Sequence, residues 1–477
     1  MAVALGALCV LGAGPAALAQ DVNSQRQIMI DHVSAGDRHE DARRYEQAMA
    51  SFQASLRIAR WLVAKDANRA TWQRDLGISI VRVGNIHRVR RRTQAALEAY
   101  QEGLDIATRL AERNPDKDQW QRDLALYQTK LGDVLAQLGR FKRALSLQRQ
   151  SLAIAERLVG QDPNNAIYLA DVLVANERIG NEMLRIKQTS KAIEHYGESL
   201  RIAEQLYNRF PDRYQRRRGY TISLVKMAEA QTQAGRRDEA IVNLRKSLDL
   251  RRALRREQPS NKQLRYDVLV VHERLGDIFL YRKRPGEARR HFLQGLEQAK
   301  ALLQAEPNSI ARRATAFITV QRIAKSYRNE GNRRYAIPYS RKALKLAQTV
   351  VERRPDDRTW ERRVMLAYWA LARAKDDPVR RWREARDQLQ SMQQRGILQQ
   401  KDVRFIDIAS RNLALAQQRG EGPLDGIPPE PQVLSGLIVG PTTQAPSARP
   451  PTPRGRPSGP SAVWAQSENE LEFSRPR

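Results

Sequence analysis

Along most of the chain the apolar residues fall three and four positions apart, the period of a helix with one buried stripe, and polar residues fill the intervals. From Trp120 the apolar positions are Leu124, Leu131, Val134, Leu135 and Leu138; Gly139 then breaks the pattern. Phe141 to Val159 resumes it with Ala144, Leu145, Leu152, Ile154, Ala155 and Leu158, and Asp162-Pro163-Asn164 turns the chain again. The spacing predicts two antiparallel helices joined by a tight turn. Neither covers its stripe alone, so burial needs a neighbouring pair.

That neighbour is the same pattern again. Trp72-Gln73-Arg74-Asp75-Leu76 returns as Trp120-Gln121-Arg122-Asp123-Leu124, an offset of 48. Prolines keep the interval at Pro115, Pro163, Pro211, Pro259, Pro307 and Pro355. Small residues keep it at Gly36, Gly84, Gly132, Gly180, Ala228, Gly276, Ala324 and Ala372. Twelve positions after the first seven of these stand alanines, from Ala48 to Ala336, and eight further on leucines, from Leu56 to Leu344. The period predicts about eight stacked helix pairs sharing one continuous core.

The unit resembles the tetratricopeptide repeat. Gly132, Ala144 and Ser151 stand at the three positions where that family's paired helices approach too closely for a large side chain. The match runs from the unit of Gly36 to that of Ala336, with a weaker eighth around Ala372. The family's usual unit has about 34 residues; the extra length here is about four helical turns, which leave both apolar faces in place when split evenly between the helices. The family's tryptophan on the first helix is replaced by Ile80, Gln128, Asn176, Leu224, His272 and Val320, and tryptophan moves to the helix start at Trp72, Trp120 and Trp360. The resemblance implies an all-α chain, a right-handed α-solenoid of stacked antiparallel helix pairs, of a long-unit kind found in bacterial interaction modules.

Ala2 to Ala19 carry no charge and end in the small-x-small run Ala17-Leu18-Ala19 before Gln20, a pattern that predicts a secretory signal (1–19) cleaved between Ala19 and Gln20. The stretch is broken by Gly6, Gly12, Gly14 and Pro15 and is at the lower limit for crossing a bilayer. Export to the periplasm of a Gram-negative bacterium, with no stable membrane span in the mature chain, is therefore favoured over a permanent N-terminal anchor. The array is expected over 20–395, followed by a capping helix within 396–419 that turns Ile406, Ala409, Leu413 and Ala416 inward. The C-terminal stretch 420–477 holds 12 of the 22 prolines and no apolar period, which predicts a Pro-rich disordered tail.

Composition narrows the chemistry. Among 477 residues, 83 Lys and Arg face 53 Asp and Glu, a net charge of +30, and 67 of the cations are arginine. With 41% hydrophobic and 29% charged residues the chain belongs with water-soluble folded proteins. Its one cysteine, Cys9, lies in the N-terminal apolar stretch, so no intrachain disulfide, Cys-based zinc site or redox pair can form. No phosphate loop, dinucleotide glycine fingerprint or nucleophile elbow occurs, the six histidines are dispersed, and His272-Glu273 lacks the second histidine of a zinc-protease helix. No catalytic residue, metal ligand or cofactor is assigned.

In tetratricopeptide-like arrays the first helix of each pair lines the inner face. On it stand Arg82, Lys130, Arg178, Lys226, Arg274 and Arg322, each followed three residues later by Asn85, Asp133, Asn181, Glu229, Asp277 and Lys325. Seven residues before the cations stand Asp75, Asp123, Asp171, Gly219, Asp267 and Thr315. The pattern reads as ion pairs within and between repeats that set the stacking register. The seventh unit departs from it: Arg322 has Thr315 and Lys325 as sequence neighbours, with Arg312, Arg313 and Arg328 nearby. Net charge also rises, from +2 over 116–163 and 0 over 164–211 to +7 over 212–259 and +10 over 308–355. The expectation is a non-enzymatic scaffold holding an acidic peptide or protein segment at Arg322, Lys325 and Arg328. The alternatives are an anionic polymer (nucleic acid, envelope polysaccharide or lipid headgroups) or the sensor half of a signalling protein. Nucleic acid is disfavoured by the export signal and by the lack of a repeating aromatic stacking position.

Overall fold

The computed structural model describes residues 15–437, with side chains from residue 21 onward; residues 1–14 and 438–477, which include most of the expected signal and of the tail, lie outside the described part. The described residues form 17 α-helices and two short 3₁₀ turns, with no strand. They fall into two compact units that divide at Phe210 and Pro211.

The first unit holds α1 (Pro15–Asp41), α2 (Tyr45–Lys65), α3 (Ala70–Val89), α4 (Thr93–Arg113), α5 (Asp118–Gln137), α6 (Phe141–Gln161), α7 (Ala166–Arg185) and α8 (Thr189–Arg209). The second holds α9 (Tyr214–Gln233), α10 (Arg237–Glu257), α11 (Lys262–Tyr281), α12 (Pro285–Ala305), α13 (Ile310–Asn329), α14 (Arg333–Val351), α15 (Arg358–Arg373), α16 (Pro378–Gln394) and α17 (Arg404–Gln418). Within each unit every odd-numbered helix packs on the helix after it, and each pair packs on the next. The eight pairs are the eight repeats, and α17 caps the last one against α16. The helices of the third repeat lie within two residues of the bounds the periodicity predicts.

The turn inside each pair has one recurrent geometry. Arg43, Arg91, Gly139, Lys187, Gly235, Lys283 and Gly331, spaced by the repeat length, all take positive φ, between 57° and 84°. Beside them the next amide donates back across six residues, as in Arg140 N to Leu135 O at 2.8 Å and Arg284 N to Phe279 O at 2.9 Å. This is a Schellman motif, which closes the free carbonyls of the first helix. Glycine fits it without strain; the four cations at this place accept a conformation that disfavours a Cβ. Between pairs, Asn165, Asn261, Ser309 and Asp357 cap the following helix through their side chains.

Inside each pair the small residue of the first helix faces the side chain sixteen positions later. A Cβ at Gly276 would lie 2.3 Å from Phe292 Cε1, and one at Gly180 2.8 Å from Tyr196 Cε1. Where the first helix carries Ala228 or Ala324, the facing residue shrinks to Leu244 or Ser340. The two sizes compensate, which fixes the close approach of each pair.

Three of the expected segment boundaries fall within the described residues. The expected cleavage position between residues 19 and 20 lies within α1, which opens at Pro15, a residue suited to the first turn of a helix. The capping helix, Arg404–Gln418, lies inside the expected 396–419, follows a 3₁₀ turn at Gln400–Asp402, and buries Ala409, Leu413 and Ala416, while Ile406, expected inward, stays half-exposed. Residues 420–437 are not a disordered tail: they lie on the second unit as an irregular segment with a 3₁₀ turn at Gln432–Leu434, and Leu434 and Leu437 are fully buried in its core cluster. Their apolar residues are spaced for neither helix nor strand, so a search for those periods passes over them. Among the described residues no helix is long and apolar enough to cross a membrane.

Candidate functional site

Two ion-pair ladders run along the first helices of the pairs. In the first, the arginine of one repeat donates to an aspartate of the next. Arg26 Nε lies 2.6 Å from Asp75, Arg74 Nε 2.5 Å from Asp123, Arg122 Nε 2.5 Å from Asp171 and Arg218 Nε 2.7 Å from Asp267. Each is a two-pronged contact, with Nη2 3.2 to 3.3 Å from the other carboxylate oxygen. The adjacent Arg-Asp of the Trp-Gln-Arg-Asp-Leu motif is thus a relay: its aspartate receives from the repeat before and its arginine donates to the repeat after. At the end of the array Arg362 makes the same fork with Asp402, beside the cap.

The second ladder takes up the expected groove residues. Arg82 pairs with Asp37 at 3.2 Å, Arg178 with Asp133 at 3.1 Å, Arg274 with Glu229 at 2.5 Å and Arg322 with Asp277 at 2.8 Å. In each case the acid belongs to the preceding repeat, at the same offset of 45 in the numbering. Where that acid position holds Asn85 or Asn181, the cation is Lys130 or Lys226 instead of arginine. Both asparagines accept a bond at 2.8 Å from a tyrosine of their own repeat, Tyr100 and Tyr196. Arg82, Asn85, Lys130 and Lys226 are buried. These residues serve the stacking of repeats and do not present a row of free charges.

Arg322 corrects the sequence reading most sharply. It is not an unpaired cation: Nη2 meets Asp277 and Nη1 meets Glu273, each at 2.8 Å. Both carboxylates stand on α11, across the interface with the preceding repeat, and not among the sequence neighbours of Arg322 on its own helix. Arg312 and Arg313 are also held, Arg312 by Glu306 at 2.9 Å and Arg313 by Pro307 O at 2.8 Å and Thr349 at 3.1 Å.

The ladder ends one step further. The next cation position is Ala370, and the two acid positions at this end hold Lys325 and Arg373. Lys325 is exposed on α13, and Arg328 follows it by one turn. Arg328 Nη1 is buried with no hydrogen-bond partner. Burial, and then the positive charge of Arg373, push the Arg328 guanidinium down to about 10. The wholly buried Arg251 on α10 is held at the same level by burial, but its nitrogens reach Asp267 O at 2.5 Å, Thr221 Oγ1 at 3.1 Å and Thr221 O at 3.3 Å. Arg328 lacks such acceptors. Lys325 and Arg373 therefore stand where most of the other repeats supply a carboxylate, with Arg328 one turn after Lys325.

Among the described residues no cluster of three or more His, Cys, Asp or Glu is placed to hold a metal ion. His272 and His291 face each other across α11 and α12 with their Nδ1 atoms 3.2 Å apart, at the positions where the fourth repeat pairs Asn176 with His195 at 2.8 Å.

Residues 124–165, the greater part of the third repeat, match the family model described as tetratricopeptide repeat. Among solved structures the chain is similar to BtubC (BKLC) from P. vanneervenii, with 18% identity over 54% of this chain and 92% of that one and a TM-score of 0.43. It is also similar to pilF of Pseudomonas aeruginosa, with 16% identity over 60% of this chain and 96% of that one and a TM-score of 0.34. A third similar structure is YrrB, described as a TPR protein with an unusual peptide-binding site, with 15% identity over 52% of this chain and 95% of that one and a TM-score of 0.27. No curated protein sequence matches. The matched segment is one of eight helix pairs spaced at the same 48-residue interval, so the chain carries a tetratricopeptide repeat at residues 124–165 within an array of lengthened units.

Proposed function

We propose that the chain is a non-enzymatic interaction scaffold of the bacterial cell envelope that holds an acidic peptide or protein segment at the C-terminal end of its array, against Lys325, Arg328 and Arg373. The observation that carries this reading is the half-buried Arg328 guanidinium, whose buried Nη1 has no acceptor. An uncompensated charge away from water costs several kcal/mol, and a carboxylate supplied by a ligand removes that cost. Arg322 drops out of the site because Asp277 and Glu273 already neutralise it.

The envelope location rests on the uncharged stretch Ala2 to Ala19 and the small residues before Gln20. N-terminal sequencing of the protein from cells tests it: a start at Gln20 supports export, and a start at Met1 opposes it.

The net charge of +30 favours a second reading, a binder of anionic polymers. Salt separates the two. Polyanion binding driven by counterion release falls steeply and log-linearly with salt, whereas a segment seated on one buried arginine keeps most of its affinity. Titration of a labelled peptide of alternating glutamate and serine, against heparin as the polyanion, at rising salt distinguishes them.

A further inference from the structure

One face of α10 and α12 carries cations that the two stacking ladders leave out. Arg245 and Arg252 stand about two turns apart on α10, and Arg290 precedes His291 on α12. All three are exposed, and among the described residues none of them has a hydrogen-bond or ion-pair partner. The charges of all three act on the ring of His291, which is half-buried. Arg255 adds a further cation near Arg252. Against these arginines stand Asp249 and Glu297, both exposed, while Glu287 is engaged by Arg284.

The arginines adjoin an imidazole pair. His272 of α11 is buried, and its Nδ1 lies 3.2 Å from Nδ1 of His291. Two bare nitrogens would repel and two N–H groups would clash, so one ring donates to the other. Phe279 stacks on His291, with ring centroids 5.5 Å apart and 6° between the planes. Such a pair takes up one proton without losing its contact. A doubly protonated His291 donates its Nδ1–H to the bare Nδ1 of His272 and has its Nε2–H left for another acceptor.

The chain holds a second copy of this arrangement without the arginines. Two repeats earlier, His195 Nδ1 donates to Asn176 Oδ1 at 2.8 Å, and Arg149 stands where the later copy has Arg245. The places of Arg252 and Arg290 are held there by Glu156 and Glu194, and Glu194 acts on His195 in the opposite sense to Arg149. All four side chains are exposed, so packing does not call for the exchange of acid for arginine. A negatively charged ligand accounts for it.

We propose that the face formed by α10 and α12 binds a phosphate group, free or carried on a larger molecule, with Arg245, Arg252 and Arg290 neutralising its charge and His291 donating to one of its oxygens. Guanidinium forks match the geometry of such an oxyanion. The site stands on other helices than Lys325, Arg328 and Arg373 and does not depend on the acidic-segment reading. Binding takes up a proton. In the free protein burial and the arginines of α10 and α12 hold His291 below its usual value, with Glu287 pulling the other way, and burial, His291 and Arg252 hold His272 at about 3. An anion among the arginines cancels their share of that push and attracts the imidazolium, so the bound form is protonated at a higher pH than the free form. By reciprocity, affinity rises as pH falls through that range.

The test follows the ring signals of isotope-labelled histidine in the full chain by NMR, from about pH 8 to about pH 5, in chloride or in sulfate at equal ionic strength. Sulfate stands in for phosphate because its own charge does not change over this range, and His291→Asn locates the His291 signal. Sulfate is expected to raise the His291 midpoint by about one pH unit, equivalent to about tenfold tighter binding to the protonated form, and to leave His195 unmoved. Arg252→Glu with Arg290→Glu copies the earlier repeats at exposed positions and is expected to abolish the shift. Arg57→Glu with Arg143→Glu, the same change in charge at other exposed positions, is expected to leave it in place. Glycerol phosphate and vesicles containing phosphatidic acid present the phosphate free and membrane-borne. Saturable binding of either one that is lost in the Arg252→Glu, Arg290→Glu variant supports the site and names the source. No shift at His291, equal shifts at His195 and His291, a shift that survives the Arg252→Glu, Arg290→Glu change, or binding of neither phosphate compound overturns the inference.

Discussion

Replacing Gly276 by alanine puts the close approach of a repeat's two helices to a quantitative test. The added Cβ would lie 2.3 Å from Phe292 Cε1 and 2.7 Å from both Cδ1 and Cζ. Carbon atoms in contact sit about 3.5 to 4.0 Å apart, so the ring or a helix must move by more than an ångström. Overpacking of this kind costs about 1–3 kcal/mol, and the better helix propensity of alanine returns up to about 1 kcal/mol. The net loss should be about 1–2 kcal/mol, read from urea unfolding followed by far-UV circular dichroism. Phe292→Leu alone opens space and should cost less than the roughly 3–5 kcal/mol of a full truncation to alanine. Together the two changes recreate the Ala228–Leu244 pair of the fifth repeat. The double variant should therefore be more stable than the sum of the single losses, by about 1 kcal/mol or more. Gly160 is the control: a Cβ there meets nothing within 4 Å, so Gly160→Ala should be neutral or gain up to about 1 kcal/mol. Strict additivity of the Gly276 and Phe292 losses would refute the steric account.

Asp123→Asn should cost about 3–5 kcal/mol in the same assay, since it strands the guanidinium of Arg74, which is only 12% exposed; Arg60→Ala, which removes an ion pair with both side chains at least half exposed, should cost less than about 1 kcal/mol. Burial pushes His272 down to about 3 and His291 below its usual value, among Arg245, Arg252, Glu287 and Arg290, so both favour the neutral ring. Folded-state values below the unfolded one of about 6.5 mean that stability is complete above that pH and is lost as pH falls through it toward 3. His272→Asn, which copies the Asn176–His195 pair, should flatten the fall in melting temperature between about pH 7 and pH 5; an unchanged slope counts against this source. Lys325→Asp with Ala370→Arg adds one more rung to the ladder, and should abolish acidic-peptide binding without loss of thermal stability; retained binding by this variant opposes the site assignment.

The repeat is legible in the sequence because its causes are local and periodic. The Gly-to-aromatic approach, the Schellman turns and the interface prolines each recur at a fixed interval, so helix number and pairing follow from spacing alone. Pairing across repeats is harder to see. Arg82, Arg178, Arg274 and Arg322 have polar neighbours on their own helices that suggest local partners, while stacking sets their true partners in the preceding repeat. The signal is present as an offset near the repeat length, and along the sequence it accompanies an alternation of arginine with lysine at the cation position. Residues 421–437 look disordered in sequence because their inward apolar residues, Leu424, Ile427, Val433, Leu434 and Leu437, follow neither a helical nor a strand period. Charge density points to Arg328, but its importance comes from burial beside Arg373, which no spacing reports.

The most direct measurement of the central claim is anisotropy of the labelled glutamate–serine peptide on three full-length proteins at one salt concentration. One is unsubstituted, one carries Lys325→Glu, Arg328→Glu and Arg373→Glu, and one carries the same change in charge at the exposed Arg57, Lys142 and Arg143. Loss of binding in the second protein alone is the predicted result. Equal weakening in the second and third would show that the peptide senses only the overall positive charge, and would contradict the site.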